Sequence, residues 1–356
     1  MNTTNLKFGC PKAPEDPRDH LYKASSTVLA SVANIDLRGQ CPPVRNQGGL
    51  GACTAFGATS LVDFVRRKQG LATWLPSPLF TYYSTRLMEG AENSDNGAYV
   101  RDALKSTVND GVAMERDWPY IVGKFNVRPS DEVWTNATKH QALEYLTIND
   151  YDKNAMLSCL NDGYPFVFGI QIYSSFTSSF DVVFGGNVHE PDRVNEKLLG
   201  GHCMMCVGYQ KRDDGSEYMI VMNSWGTGWG DRGFCYIPMK YFLSNDSYDF
   251  WTIRLMEACN EDTPDPDPTI PVIVVPPNPP EPPEPPPVVV PPDPPVVDPV
   301  DPVVPVPPAP TPVVPLPVVD SVVPLDQAKE QKLARIKTII VTCVFVLILI
   351  LFFLIK

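Results

Sequence analysis

The sequence predicts an α+β domain over residues 36–262, with a helical half followed by a strand-rich half. Residues 53–67 place Phe56, Leu61, Phe64 and Val65 close to helical spacing. Residues 98–108 read as a second helix, stopped by Asp110-Gly111. Four later runs, 166–173, 202–209, 218–223 and 233–237, read as strands. Helices first and strands afterwards suggest one lobe of each kind.

The flanks have a different composition. Residues 1–35 form an N-terminal extension with a short Pro14-Glu15-Asp16-Pro17-Arg18-Asp19 element, and residues 1–13 have no apolar run of the kind that opens a secretory signal. Of 39 prolines, 27 lie between positions 264 and 324, a stretch with eight acids and no Lys, Arg or Cys. Proline fixes φ and donates no hydrogen bond, so residues 263–325 are expected to be a disordered or polyproline II linker. Its simplest use is as a spacer; a second is as a docking strip for polyproline-recognising modules, although the flanking base that such modules usually want is absent. Residues 326–337 are a basic juxtamembrane segment carrying Lys329, Lys332, Arg335 and Lys337. Residues 338–355 hold 18 uncharged, mostly aliphatic residues, about 27 Å as a helix, and are expected to cross a membrane. The excess of positive charge before that helix predicts a single-pass C-terminal tail anchor with the domain in the cytosol. Free thiols and unglycosylated Asn136 and Asn245 are the corollary.

The net charge is −12, of which residues 263–356 account for −5. An acidic domain argues against a general nucleic-acid binder, which needs Lys and Arg to replace phosphate counterions. Nine cysteines are too few for a disulfide scaffold. Cys203 and Cys206 stand three apart in a predicted strand, where their thiols diverge, so no metal or redox pair is expected there. His20, His140 and His189 are expected on the surface.

Three segments carry candidate chemistry. Cys53 follows Asn46-Gln47-Gly48-Gly49-Leu50-Gly51-Ala52 and opens a helix, whose N-terminus favours the nucleophilic thiolate. An imidazole beside it lowers the thiol pKa further by forming a thiolate–imidazolium pair. His202 follows Gly200-Gly201 and leads into an apolar strand. Asn223 ends another strand, where its side-chain oxygen can fix an imidazole. Gln47 is placed to stabilise an oxyanion together with the Cys53 N–H. Each residue alone also fits a bland role in packing or in a turn.

In combination the three segments resemble the papain-like cysteine peptidases. There a Gln-Gly turn precedes the nucleophile, a His follows in a Gly-His context, and an Asn opens Asn-Ser-Trp-Gly-x-x-Trp-Gly. Here that last motif reads Asn223-Ser224-Trp225-Gly226-Thr227-Gly228-Trp229-Gly230. Cys53 and His202 are 149 residues apart, the long end of the family's spacing. Ile35-Asp36-Leu37-Arg38, Asp95-Asn96-Gly97 and Glu115-Arg116-Asp117-Trp118-Pro119-Tyr120 add to the similarity. The resemblance implies a helical lobe and an antiparallel β-barrel-like lobe, protein or peptide substrates and no cofactor. It implies Cys53 as nucleophile, His202 as general base and then acid, Asn223 as its orienting partner, and Gln47 as oxyanion donor. Trp225 is expected to shield the Asn–His hydrogen bond, and Trp229 to line the leaving-group side of the cleft.

Leu50 and Thr54 depart from the family pattern, which has a disulfide cysteine and a Trp there. The loop 93–97 also lacks the partner cysteine, and residues 1–35 are too short for a helical prodomain. These features are nearer to bacterial and large-DNA-virus members, and the anchored domain is expected to face the cytosol or the interior of a virion. The rival reading, an inactive papain-like scaffold at a membrane, has no need of all four site residues. A transferase with the same Cys–His pair would differ only in what resolves the thioester.

Overall fold

In the computed structural model, which describes residues 6–24 and 34–259, a helix buried on almost every side separates the two layers. The chain enters through β1 (Asn34–Asp36) and a 3₁₀ turn at Arg38–Gln40, then forms α1 (Cys53–Lys68) after the glycine-rich turn. Thirteen of the sixteen residues of α1 are buried, as a helix lying between layers requires. Its small residues decide how closely it can dock. A β-carbon on Gly57 would stand 2.9 Å from the Cys203 sulfur.

The helical layer continues with α2 (Pro78–Met88), α3 (Val100–Asn109) and α4 (Asp131–Ala137). Ser77 caps α2 by accepting from the Phe80 N–H, with Pro78 at the first position, where its missing N–H costs nothing. Ser130 caps α4 in the same way. The other layer comprises β2 (Ala142–Ile148), α5 (Lys153–Asn161), β3 (Phe166–Tyr173), α6 (Ser174–Ser178), α7 (Phe180–Gly185), β4 (Leu198–Lys211), β5 (Glu217–Met222), β6 (Phe234–Pro238), α8 (Met239–Phe242) and β7 (Ser247–Met256).

The strands make one antiparallel sheet in the order β2-β7-β3-β4-β5-β6, with β1 added to β4. β3 and β4 align Gly169 with Cys203 and Ile170 with His202. Phe168 stacks on Phe250 at 5.7 Å between ring centroids, and Phe166 and Phe242 close the same cluster. The two-lobe α+β expectation therefore holds for the domain.

Local differences have physical reasons. The helix expected over 98–108 begins at Val100, because Tyr99 keeps extended backbone as its N-cap. The strand expected from His202 begins four residues earlier, carried by pairing with β3. His140 is buried against Trp74, ring centroids 4.7 Å apart, and is not a surface histidine; its ring fills a space beside the indole. His20 and His189 are exposed. The proline-rich linker, the basic segment and the predicted membrane helix lie outside the described residues. Among the described residues, no helix is long and apolar enough to cross a membrane.

Candidate active site

The Gln47 backbone N–H donates to the Ser224 carbonyl (2.9 Å), which binds the turn before α1 to the segment after β5. The Gln47 side chain repeats the link. Its Nε2 donates to Leu50 O (3.0 Å) and its Oε1 accepts from Ser224 Oγ (2.6 Å). Gly51 N donates to Asp95 Oδ1 (2.9 Å), and Tyr82 OH donates to the same oxygen (2.7 Å). Where the family has a disulfide joining this turn to the loop, the chain has a carboxylate. Among the described residues all eight cysteines are unbonded.

His202 projects from β4 with its Nε2 2.8 Å from Asn223 Oδ1. That oxygen also accepts from the Ser224 N–H, so it acts as acceptor and Nε2 as donor. The other ring nitrogen, Nδ1, is basic and has no hydrogen-bond partner among the described residues. Trp225 stacks on the imidazole at 4.8 Å and covers the Asn–His bond. Trp229 lies deeper, stacked on Phe176 and edge-on to Trp225. The sulfur of Cys53 is ringed by the backbone N–H groups of Thr54, of Cys203 (the residue after His202) and of Gly9. The fold thus brings Cys53, His202, Asn223 and Gln47 together, and all four are buried.

Gly9 belongs to the N-terminal extension, and the sequence carries no signal for its place here. Residues 6–13 lie across the site. Phe8 sets its ring edge-on to His202 and to Trp225, each at 6.2 Å. The Gly9 carbonyl accepts from Ala98 N (3.0 Å), and Cys10 N donates to Gly201 O (3.1 Å). Tyr248 OH donates to Cys10 O (2.6 Å), and Ala13 N to Asp249 Oδ2 (2.7 Å). Lys7 reaches Asp95 Oδ2 with its ammonium (2.6 Å), while its carbonyl stands 3.4 Å from Gln47 Nε2. The carbonyl near Gln47 and the N–H at the sulfur belong to different peptide groups, so no single peptide of the segment is aligned with both.

This occlusion reverses the electrostatics expected from the sequence. Burial pushes the Cys53 thiol up to about 12 and the His202 imidazole down to about 4. Burial thus favours the neutral form of each group over a thiolate–imidazolium pair. A helix N-terminus favours a thiolate only by a fraction of what desolvation costs, and Phe8, Gly9 and Cys10 exclude water from the site.

The Cys203 thiol faces α1 at Gly57, whereas the Cys206 thiol donates to Gly208 O. The two diverge, as strand geometry dictates. Among the described residues, no group of three or more His, Cys, Asp or Glu is arranged to hold a metal.

A central helix opened by Cys53 packs on an antiparallel sheet that carries His202 and Asn223, the arrangement the sequence leads one to expect of a cysteine peptidase. The family model described as papain family cysteine protease matches residues 32–245, and the chain belongs to that family of cysteine peptidases. It is 33% identical to an uncharacterized peptidase C1-like protein of Acanthamoeba polyphaga mimivirus, over 71% of this chain and 88% of that one. It is 23% identical to cysteine proteinase 3 of Entamoeba histolytica, over 62% of this chain and 66% of that one. Among solved structures it resembles xylellain, a cysteine protease from Xylella fastidiosa. The TM-score is 0.64 and the identity 31%, covering 70% of this chain and 96% of that one. Similarity to a large-DNA-virus protein and to a bacterial one agrees with the expected bacterial or large-DNA-virus type.

Proposed function

We propose that the protein is a membrane-anchored cysteine endopeptidase, held latent by its own N-terminal segment. The observation that carries the catalytic reading is the His202–Asn223 hydrogen bond, which leaves Nδ1 basic beside the helix that Cys53 opens. Once residues 6–13 leave and water enters, Nδ1 takes the thiol proton and the sulfur attacks the substrate carbonyl. The Cys53 N–H and Gln47 Nε2, released from Lys7 O, donate to the oxyanion. His202 returns the proton to the leaving amine, and water then resolves the thioester with His202 again as base. Asn223 and Trp225 hold the imidazole, and Trp229 backs the wall on the leaving-group side. No cofactor enters the scheme.

The membrane part rests on the apolar residues 338–355 and the basic flank before them. In this reading the proline-rich residues 263–325 space the domain from the bilayer, and polyproline-recognising modules are a secondary partner class. Protease protection of the domain in sealed microsomes, or glycan-dependent mobility at Asn136 or Asn245, would overturn the cytosolic orientation. The catalytic reading is tested by labelling with an epoxide-type thiol-peptidase probe. With residues 6–13 displaced by Gly9→Leu, whose β-carbon meets Gly97 Cα at 2.6 Å, the chain should label and turn over peptides, and Cys53→Ala in that background should do neither while keeping its fold, with a stability change of at most about 1 kcal/mol. Undiminished turnover by Cys53→Ala would end the assignment.

A further inference from the structure

Residues 6–13 carry one thiol, Cys10, and the fold buries it close to two others, Cys53 and Cys203. Its backbone fixes the approach. The Cys10 N–H donates to Gly201 O (3.1 Å), and a β-carbon on Gly201 would stand 2.0 Å from the Cys10 carbonyl oxygen. Residues 201 and 203 face the same side of β4, so Cys10 lies over the face from which Cys203 projects. The neighbouring strand gives a second bearing. Gly169 is the cross-strand partner of Cys203, and a β-carbon there would meet the Cys10 sulfur at 3.1 Å and the Tyr248 ring closer still. The β-carbons of such partners stand about 4.5–5.5 Å apart on one face, so the Cys10 sulfur occupies the space beside the Cys203 side chain. The two thiols interact directly. Burial first, then hydrogen bonding with Cys203, raises the Cys10 thiol well above its ordinary value, whereas Cys53 acts on it through charge alone. All three are unbonded.

Peptide hydrolysis uses neither the Cys10 nor the Cys203 thiol. Yet Cys10 sits on the segment that must leave, and Cys203 on the strand that carries His202, so a bond between them ties the one to the other. We propose that Cys10 and Cys203 form a redox lock: a peroxide joins them in a disulfide that fastens residues 6–13 over the cleft, and a thiol reductant frees the segment again. The inference rests on the latent-peptidase reading above and names how that latency is regulated. Reaction begins when the segment lifts and Cys10 meets water, where its thiolate becomes accessible. The thiolate attacks one peroxide oxygen, the O–O bond breaks, and Cys10 becomes a sulfenic acid with release of one water. As the segment settles back, the Cys203 sulfur attacks the Cys10 sulfur. The S–S bond forms, the S–O bond breaks, and the hydroxide leaves with the Cys203 proton as a second water. The peroxide gains two electrons and the two thiols lose them.

The test uses the full chain carrying Cys53→Ala, so that the nucleophile does not compete for the oxidant. The protein is treated with hydrogen peroxide, alkylated, and digested without reductant for mass mapping. The expected product joins the peptides of Cys10 and Cys203 and is released by dithiothreitol. Recovery of both residues as alkylated thiols overturns the inference, as does Cys10 joined to another cysteine or oxidised beyond the sulfenic acid. The hold on the segment is read separately, as amide hydrogen exchange in residues 6–13. Exchange should slow by roughly tenfold or more on oxidation, because the cross-link removes the open states through which these amides exchange. Dithiothreitol should restore it, and peroxide should leave it unchanged when Cys10→Ala is added. A disulfide that leaves exchange unaltered also overturns the inference. Cys53→Ser supplies the same readouts should the alanine variant fail to fold. None of these outcomes depends on peptidase activity, which the Cys53 labelling of Gly9→Leu tests on its own.

Discussion

Gly9 and Gly97 meet backbone to backbone. A β-carbon on Gly97 would stand 2.0 Å from the Gly9 carbonyl oxygen, and Gly97 has a φ of +83° that already favours glycine. The segment and the loop are thus matched at a point where neither tolerates a side chain. Gly9→Leu should release residues 6–13 and speed the labelling of Cys53 by roughly tenfold or more, since about 1.4 kcal/mol lost from docking shifts the open fraction by that factor. Labelling no faster than wild type would show that the segment is not what limits access.

His202 gives a pH prediction whose sign follows from burial. Its pKa is about 4 in the folded chain, below the ordinary value near 6.5. Between those values the unfolded chain binds more protons, so the stability associated with neutral His202 is present above pH 6.5 and lost as pH falls toward 4. The loss is roughly 3 kcal/mol. Asp249, pushed up to about 6 by burial, gains stability over part of the same range and masks the effect in a single measurement. The difference in unfolding free energy between wild type and His202→Gln removes that contribution. It should shrink by roughly 3 kcal/mol from pH 6.5 to 4, and a pH-independent difference would contradict the burial of a neutral imidazole.

Gln47 has a structural and a chemical part. Gln47→Ala loses the Leu50 and Ser224 hydrogen bonds in a buried place, so stability should fall by about 1–3 kcal/mol. In released enzyme, kcat should fall by roughly 10²–10³ with little change in KM. An effect confined to KM would make Gln47 a substrate-binding residue.

Asp95 in place of a disulfide makes the turn before α1 insensitive to thiol reductants. Thermal unfolding should give the same midpoint with and without reductant, because the described cysteines are unbonded. Asp95→Ala should lower stability by about 1–3 kcal/mol through the orphaned Gly51 N–H and Tyr82 OH. A reductant-dependent midpoint would point to a bond elsewhere.

The site was legible in the sequence to the extent that side chains carry it. Cys53, His202 and Asn223 each stand at a break in local pattern, a glycine turn or a strand end, and the fold puts them together. The pairing of β2 with β7 was not legible, because residues 142–148 and 247–256 meet across a hundred residues with no local signal of register. Residues 6–13 were missed for a different reason. They hold the cleft largely through backbone N–H and carbonyl groups, which every sequence has. The thiolate expectation assumes water at the helix end, and burial by these residues works against it. His140 was misplaced because a lone histidine between polar neighbours looks the same whether or not an indole awaits it.

Leu21 bridges to Thr147, and Arg101 holds the Pro14 carbonyl, so the occluding residues are tied to the domain at points beyond the cleft. Their docking is unimolecular, and covalent linkage gives the segment an effective local concentration in the millimolar range. One nick within residues 25–33 would turn that equilibrium into a bimolecular one. The excised peptide would then leave by dilution alone, and a nicked sample should grow more active as it is made more dilute.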